Sequence, residues 1–310
     1  MNAAIFHADA PRPPSSIAEY LDRLRAALAG ADSALVQDAL YDAEDYLRSE
    51  MAANPGKSEA EVIASVAGSY GAPDEVADIY RDTEVRVQSA LQAPKPRKPR
   101  TPVGRFFGVA LEPRTYAALF YMLLTLATGI FYFTWAVTGA SLSLGLSVLV
   151  IGIPFVILFF GSVRVLALVE GRLVEAMLGE RMPRRPLYAP TSATLLGRIG
   201  EMFTDPRTWG TMLYMVLMLP LGVVYFTLAV TLLSVALAFV SSPFLVLAEY
   251  VGWFDAYDVD VSVTWWQMPF VFLGGVLLLF GTMHLARGIG RFHGQLAKHL
   301  LVQSGPRHAG

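Results

Sequence analysis

Residues 104–138 and 197–231 of this chain align without a gap at a constant offset of 93, with 16 of 35 positions identical. The first copy reads GRFFGVALEPRTYAALFYMLLTLATGIFYFTWAVT and the second GRIGEMFTDPRTWGTMLYMVLMLPLGVVYFTLAVT. No other feature constrains the fold as much. In a repeat architecture each unit buries its apolar face against a neighbour. The chain is therefore expected to fold as two related units that meet at a pseudo-symmetric interface.

Charge spacing says what the units are. Of the 310 residues, 54% are hydrophobic and 16% are charged, against about 25% charged in a soluble protein. Asp, Glu, Lys, Arg and His are absent from 49 consecutive residues after Arg114, from 41 after Arg207 and from 23 after Asp260. A membrane-crossing helix needs ~20 apolar residues. The first run then holds two spans joined by the turn GASLSLG, the second one span with a long remainder, and the third one span. This predicts an all-α chain with spans near 116–138, 146–167, 209–233 and 265–286. Basic residues gather after the second span (Arg172, Arg181, Arg184, Arg185) and in the tail (Arg287, Arg291, Lys298, Arg307), whereas 249–264 carries acids and no base. The positive-inside rule puts both termini and the central loop in the cytoplasm. Each copy then starts inside and runs outward, a parallel repeat about an axis along the membrane normal.

Each copy opens with a short amphipathic stretch, Gly104 to Leu111 or Gly197 to Thr204, expected to lie in the interface. Then come Pro113-Arg114-Thr115 and Pro206-Arg207-Thr208. Proline suits the first turn of a helix, where its missing N–H is not needed, and the arginines suit the headgroup level. These residues, with the repeated Tyr132 and Tyr225, read as structural. Tyr121/Tyr214, Thr134/Thr227 and Thr138/Thr231 read as packing glue between helices, and Gly129/Gly222 as points of close backbone approach. The copies differ in their outer connections. Pro243, after Ser241 and Ser242, predicts that the third span ends near Leu233 or bends. The outer loop is placed at 234–264.

The N-terminal part is soluble in character. Residues 1–93 carry 16 acids and 7 bases, and residues 94–114 carry 6 bases and one acid. Residues 1–15 lack the apolar core of a signal peptide and read as a disordered N-terminus. Residues 16–93 read as a cytosolic helical domain. Ser16/Glu19 and Ser58/Glu61 have the spacing of capping boxes, Gly30 reads as a stop, a second helix is predicted over 33–53, and Pro73 opens a last helix. Asp38, Tyr41, Asp42 and Asp45 share one face of the second helix, a candidate docking surface for a basic partner. A basic Pro-rich linker at 94–103 leads to the first membrane repeat at 104–180, a cytoplasmic loop at 181–196, the second repeat at 197–300 and a tail at 301–310.

Two resemblances attach to these segments. EYLDRLRAAL, DALYDAEDYL and GSYGAPDEVADIY are similar to the helical HAAS-type signalling domain of bacterial membrane proteins. PRTW, LPLGVVYFTLAVT and LSLGLSVLVIGIP resemble the bacterial four-span sensor domain. The resemblance implies an integral signalling protein of the bacterial inner membrane, often encoded beside a PadR-type regulator that residues 16–93 would engage directly or through a relay. It carries over no catalytic residue and no cofactor.

The residues themselves offer little chemistry. Arg164 and His284 occupy equivalent places in the two halves, either as headgroup anchors or as a pair facing the bundle axis. Asp255, Asp258 and Asp260, beside Trp253 and Tyr257, form an acidic outer loop that could attract a cation or a cationic amphiphile, but not with a calcium-loop pattern. His284, His293 and His299 lack a metal-ligand spacing. ARGIGRFHG follows a span rather than a strand, which excludes a nucleotide loop. The lack of a mid-span acid disfavours a transporter and the lack of an acid–base pair an enzyme, and the resemblance implies a non-enzymatic membrane sensor or regulator. Its partners are membrane lipids and a cytosolic regulator, not nucleic acid; homo-oligomerisation stays open. A small transporter or channel and a lipid-acting enzyme are the alternatives.

Overall fold

The computed structural model describes residues 12–91, 101–146, 152–183, 200, 204, 206–252 and 265–302. All regular structure among them is helical, and it divides into two units, each with its own core.

The first unit holds α1 (Ile17–Ala27), α2 (Ser33–Ala53), α3 (Glu59–Ala67) and α4 (Pro73–Leu91). Its helix starts obey the capping rules. Ser58 and Glu61 close a full capping box. Ser16 accepts from the Glu19 amide, but the Glu19 carboxylate turns instead to the backbone N–H and hydroxyl of Ser15, at 2.8 Å each. Gly30 and Gly71 have φ of 80° and 112°, backbone that an L side chain rarely adopts. They turn the chain after α1 and before α4. Tyr20, Leu24, Leu28, Leu47 and Ile63 are fully buried in the shared core, and Tyr20 donates to the Gly71 carbonyl at 2.8 Å.

The second unit holds α5 (Pro102–Phe107), which continues as a 3-10 turn over Gly108–Leu111, then α6 (Pro113–Leu146), α7 (Gly152–Leu178), α8 (Pro206–Tyr250) and α9 (Met268–Leu301). The last four are apolar and long enough to cross a membrane, so the chain is a multi-pass membrane protein. Large apolar side chains such as Phe120, Leu158, Leu237 and Phe270 stand on the outer surface, as lipid-facing residues do.

Four boundaries differ from the sequence expectation. GASLSLG is the last part of α6 rather than a turn; the connection falls in 147–151, outside the described residues. The second and fourth helices run well past 167 and 286, to Leu178 and Leu301. And α8 does not stop near Leu233: it continues for 45 residues through Pro220 and Pro243, about 67 Å at 1.5 Å per residue. A proline at 243 leaves the Phe239 carbonyl without its helical donor. The Ser242 hydroxyl donates to that carbonyl at 3.0 Å, which makes the proline tolerable in a continuous helix.

Helices α6 and α8 form the most extensive contact, with α8–α9 next. At the α6–α8 contact the two backbones nearly touch, and they do so twice. A Cβ added to Gly129 would lie 2.4 Å from the Met218 carbonyl oxygen, and one added to Gly222 would lie 2.4 Å from the Thr125 carbonyl oxygen. Gly129/Gly222 and Thr125/Met218 are each separated by the repeat offset of 93, so one contact is the mirror of the other in sequence terms. Helix α9 presents the buried stripe Ala286, Gly290, Gly294 and Ala297, small residues at spacings of four, four and three that let helices approach closely.

Candidate functional site

The site grows out of the burial pattern of α7. Val156, Phe160, Val163, Glu170 and Val174 follow the helical period and all face inward. Glu170 is a carboxyl group on an apolar stripe, 1% exposed. Two repeated tyrosines converge on it: Tyr121 of α6 donates to Glu170 Oε1 at 2.6 Å, and the Tyr214 hydroxyl of α8 lies 2.9 Å from the same oxygen. Tyr214 also lies 2.9 Å from Nε2 of His293 on α9, which is fully buried. The second repeated tyrosine pair completes the shell. Tyr132 faces Glu170, while Tyr225 packs edge-on against the His293 ring with centroids 5.7 Å apart.

All four helices contribute at one level. Tyr121 and Tyr214 each lie eight residues after the first residue of their helix, and Glu170 and His293 eight residues before the last of theirs. The cluster therefore sits about 12 Å inside one end of the bundle. The repeat supplies its tyrosines twice; the acid and the base occur once each. Three buried polar atoms in it have no hydrogen-bond partner among the described residues: Glu170 Oε2, His293 Nδ1 and the Tyr225 hydroxyl. Among the described residues no group of three or more His, Cys, Asp or Glu could hold a metal ion.

At the same end, α5 is strapped to α9. His284 Nε2 is 3.0 Å from the Phe106 carbonyl oxygen, its ring stacks on Phe106 at 5.3 Å, and Phe107 packs on Phe280 at 4.7 Å. Glu112 and Arg287 form an ion pair at 2.7 Å. The strap continues into α6, where Thr115 donates to the Val109 carbonyl at 2.9 Å.

The family model described as "Putative sensor" matches residues 121–301, more than half of the chain and the whole of this cluster. The chain belongs to the sensor family. No curated protein and no solved structure matches it.

In this sensor-family chain the residues singled out from sequence are scattered. Asp255, Asp258, Asp260, Trp253 and Tyr257 lie outside the described residues. Arg164 is half-buried on α7, and His284 holds the strap rather than meeting Arg164 at a bundle axis. Pro113 opens α6, and Arg114 reaches across to Gly179, just past the end of α7, a place where a cation meets the negative end of a helix dipole. Pro206 opens α8, while the Arg207 side chain is outside the described set; Thr208 is buried. Thr134, Thr138, Thr227 and Thr231 are exposed, whereas Tyr121 and Tyr214 bond between the long helices. In the first unit Asp38 is buried, and Asp42 accepts the Tyr80 hydroxyl at 2.8 Å. That leaves Asp45, not a four-residue acidic face, exposed on this side, with Tyr41 half-buried.

The larger correction concerns Glu170 and His293. Neither was among the candidate residues read from sequence; both lie within the long helices, about 12 Å from their ends rather than mid-span, and point inward. A charge at the end of an apolar run marks the membrane edge as readily as an inward-facing site. The usable signal was the helical period, which puts Glu170 seven residues after Val163 and four before Val174.

Proposed function

We propose that this chain is a non-enzymatic sensor or regulator of the bacterial inner membrane, with both termini cytoplasmic, which couples a membrane or envelope signal to a cytosolic partner through its N-terminal helical unit. The family match over residues 121–301 carries the reading. Basic residues in the central loop and tail support the orientation. The resemblance of residues 16–93 to HAAS-type domains supports the output role, with a PadR-type regulator or its relay as the partner. The matched glycine contacts at 129 and 222 support a bundle built as a parallel tandem of two-span units. The strap from α5 to α9 ties the segment that follows the N-terminal unit to the helix that carries His293.

One observation favours a second reading. A buried carboxyl inside a bundle of spans is what an ion-coupled transporter requires, so proton-coupled flux is the alternative to test. Transcript profiles of the host carrying the full chain, the chain without residues 12–91, and E170Q separate the two. The sensor reading expects both altered chains to change one shared set of transcripts. Unchanged transcripts together with Glu170-dependent flux in proteoliposomes would replace it with the transporter.

A further inference from the structure

The path from Glu170 to His293 has a donor count that can be worked through. A tyrosine hydroxyl has one proton and two acceptor lone pairs. Tyr214 lies 2.9 Å from Glu170 Oε1 and 2.9 Å from His293 Nε2, so it cannot donate to both. If it donates to Glu170, the carboxyl is ionised there and His293 donates its Nε2–H to the tyrosine oxygen. If it donates to Nε2, Glu170 must be a carboxylic acid that donates from Oε1. Starting from imidazolium and carboxylate, two protons each move one step: Nε2–H to the tyrosine oxygen, and the tyrosine proton to Oε1. The result is neutral imidazole carrying Nδ1–H, tyrosine unchanged, and carboxylic acid. Charge and protons balance, and no heavy atom has to move.

We infer that Glu170, Tyr214 and His293 form an intramembrane proton-binding site, in which one proton is held jointly by the carboxyl and imidazole groups and exchanged through the Tyr214 hydroxyl. The two ends are 1% and 0% exposed, so bulk water does not compete for the bridge. The outer atom at each end, Glu170 Oε2 and His293 Nδ1, has no hydrogen-bond partner among the described residues. Buried polar atoms are rarely left that way, and these are the two points at which a water molecule would deliver or remove the proton. The groups facing the site are Tyr121 and Tyr132 from α6 and Tyr225 beside Tyr214 on α8. From the segment after α7, Glu180 packs on Gly294, the neighbour of His293, and Arg181 buries its Nε and one terminal nitrogen. The tyrosines contribute dipoles beside the carboxyl and the imidazole. At short range in a low-dielectric interior, gain or loss of one charge changes the energy of every neighbouring dipole. The inference rests on this geometry and goes beyond the sensor reading by naming the proton as a ligand.

The test uses the full chain in lipid nanodiscs, with infrared difference spectra recorded across pH and proton uptake followed by an indicator dye. Wild type should show a carboxylic acid band and an imidazole change that titrate together, with uptake of about one proton per chain, because coupled groups titrate as a pair. E170Q should lose the carboxyl band. Y214F keeps both end groups and should split the joint transition into two. The inference fails if E170Q keeps the full band, or if the Y214F transitions coincide as in wild type. Should E170Q not fold, Y214F decides alone. Transcripts report the sensor reading and spectra report this one, so either can fail without the other.

Discussion

Glu170 is held in place by hydroxyl donors from two different helices, and that makes its environment sensitive to single atoms. Replacing Tyr121 by Phe removes the 2.6 Å donor and keeps the ring. A hydrogen bond to a charged group contributes about 1.5–3 kcal/mol in soluble proteins, while interhelical bonds in membranes average about 0.6. We expect Tyr121→Phe to cost about 1–2 kcal/mol in unfolding experiments in micelles. Thr134→Val, at an exposed position, should cost nothing measurable. In the first unit, hydrogen bonds from the Ser15 backbone and hydroxyl, then from Arg23, lower the Glu19 carboxyl from 4.5 to about 2. The unfolded chain then binds more protons than the folded one between those values, so this contribution is complete above pH 4.5 and disappears as pH falls towards 2. Melting temperatures of the helical unit should fall less steeply across that window in Glu19→Gln than in wild type.

At the scale of elements, the α6–α8 contact is the joint on which the bundle depends. A side chain at Gly129 or Gly222 would collide with backbone, which cannot swing aside as a side-chain tip can. Gly129→Val and Gly222→Val should each destabilise by about 1–3 kcal/mol, by similar amounts, and less than additively together because they open one interface. Gly145→Val, with nothing within 4 Å of its Cβ, is the control. This joint was legible in sequence, since glycine recurs at the repeat offset amid apolar residues. The helical unit was legible too: Ser16, Ser58 and Pro73 mark helix starts with rules that act over a few residues. The interior site was not. Its tyrosines were visible as repeats, but their partners Glu170 and His293 occur once, and each follows the point where an apolar run ends. Composition marks where hydrocarbon ends and does not say which way a polar side chain turns. Pro243 left open whether the third span stops or continues for a related reason: Ser242 answers the carbonyl that the proline leaves bare, and the helix runs on.

For the whole molecule, the lack of cysteine turns topology into a clean measurement, since any introduced thiol is the sole one. On the proposed orientation, Asp255→Cys should react with an impermeant maleimide on intact spheroplasts, and Ser192→Cys only after permeabilisation. The opposite pattern would invert the protein and place the helical unit outside. The length of α8 has a further consequence. Its stretch from Thr208 to Ala248 runs 41 residues without a charge, about 60 Å of apolar helix against a hydrocarbon core of about 30 Å. An upright rod of that length leaves about half its apolar surface outside the hydrocarbon, a mismatch that tilting relieves. The angle at which α8 rests should steepen in bilayers of longer acyl chains, readable by oriented circular dichroism, and with it would shift the one helix that carries both Tyr214 and Tyr225. Membrane thickness thus becomes a mechanical input delivered to the buried carboxyl from the side.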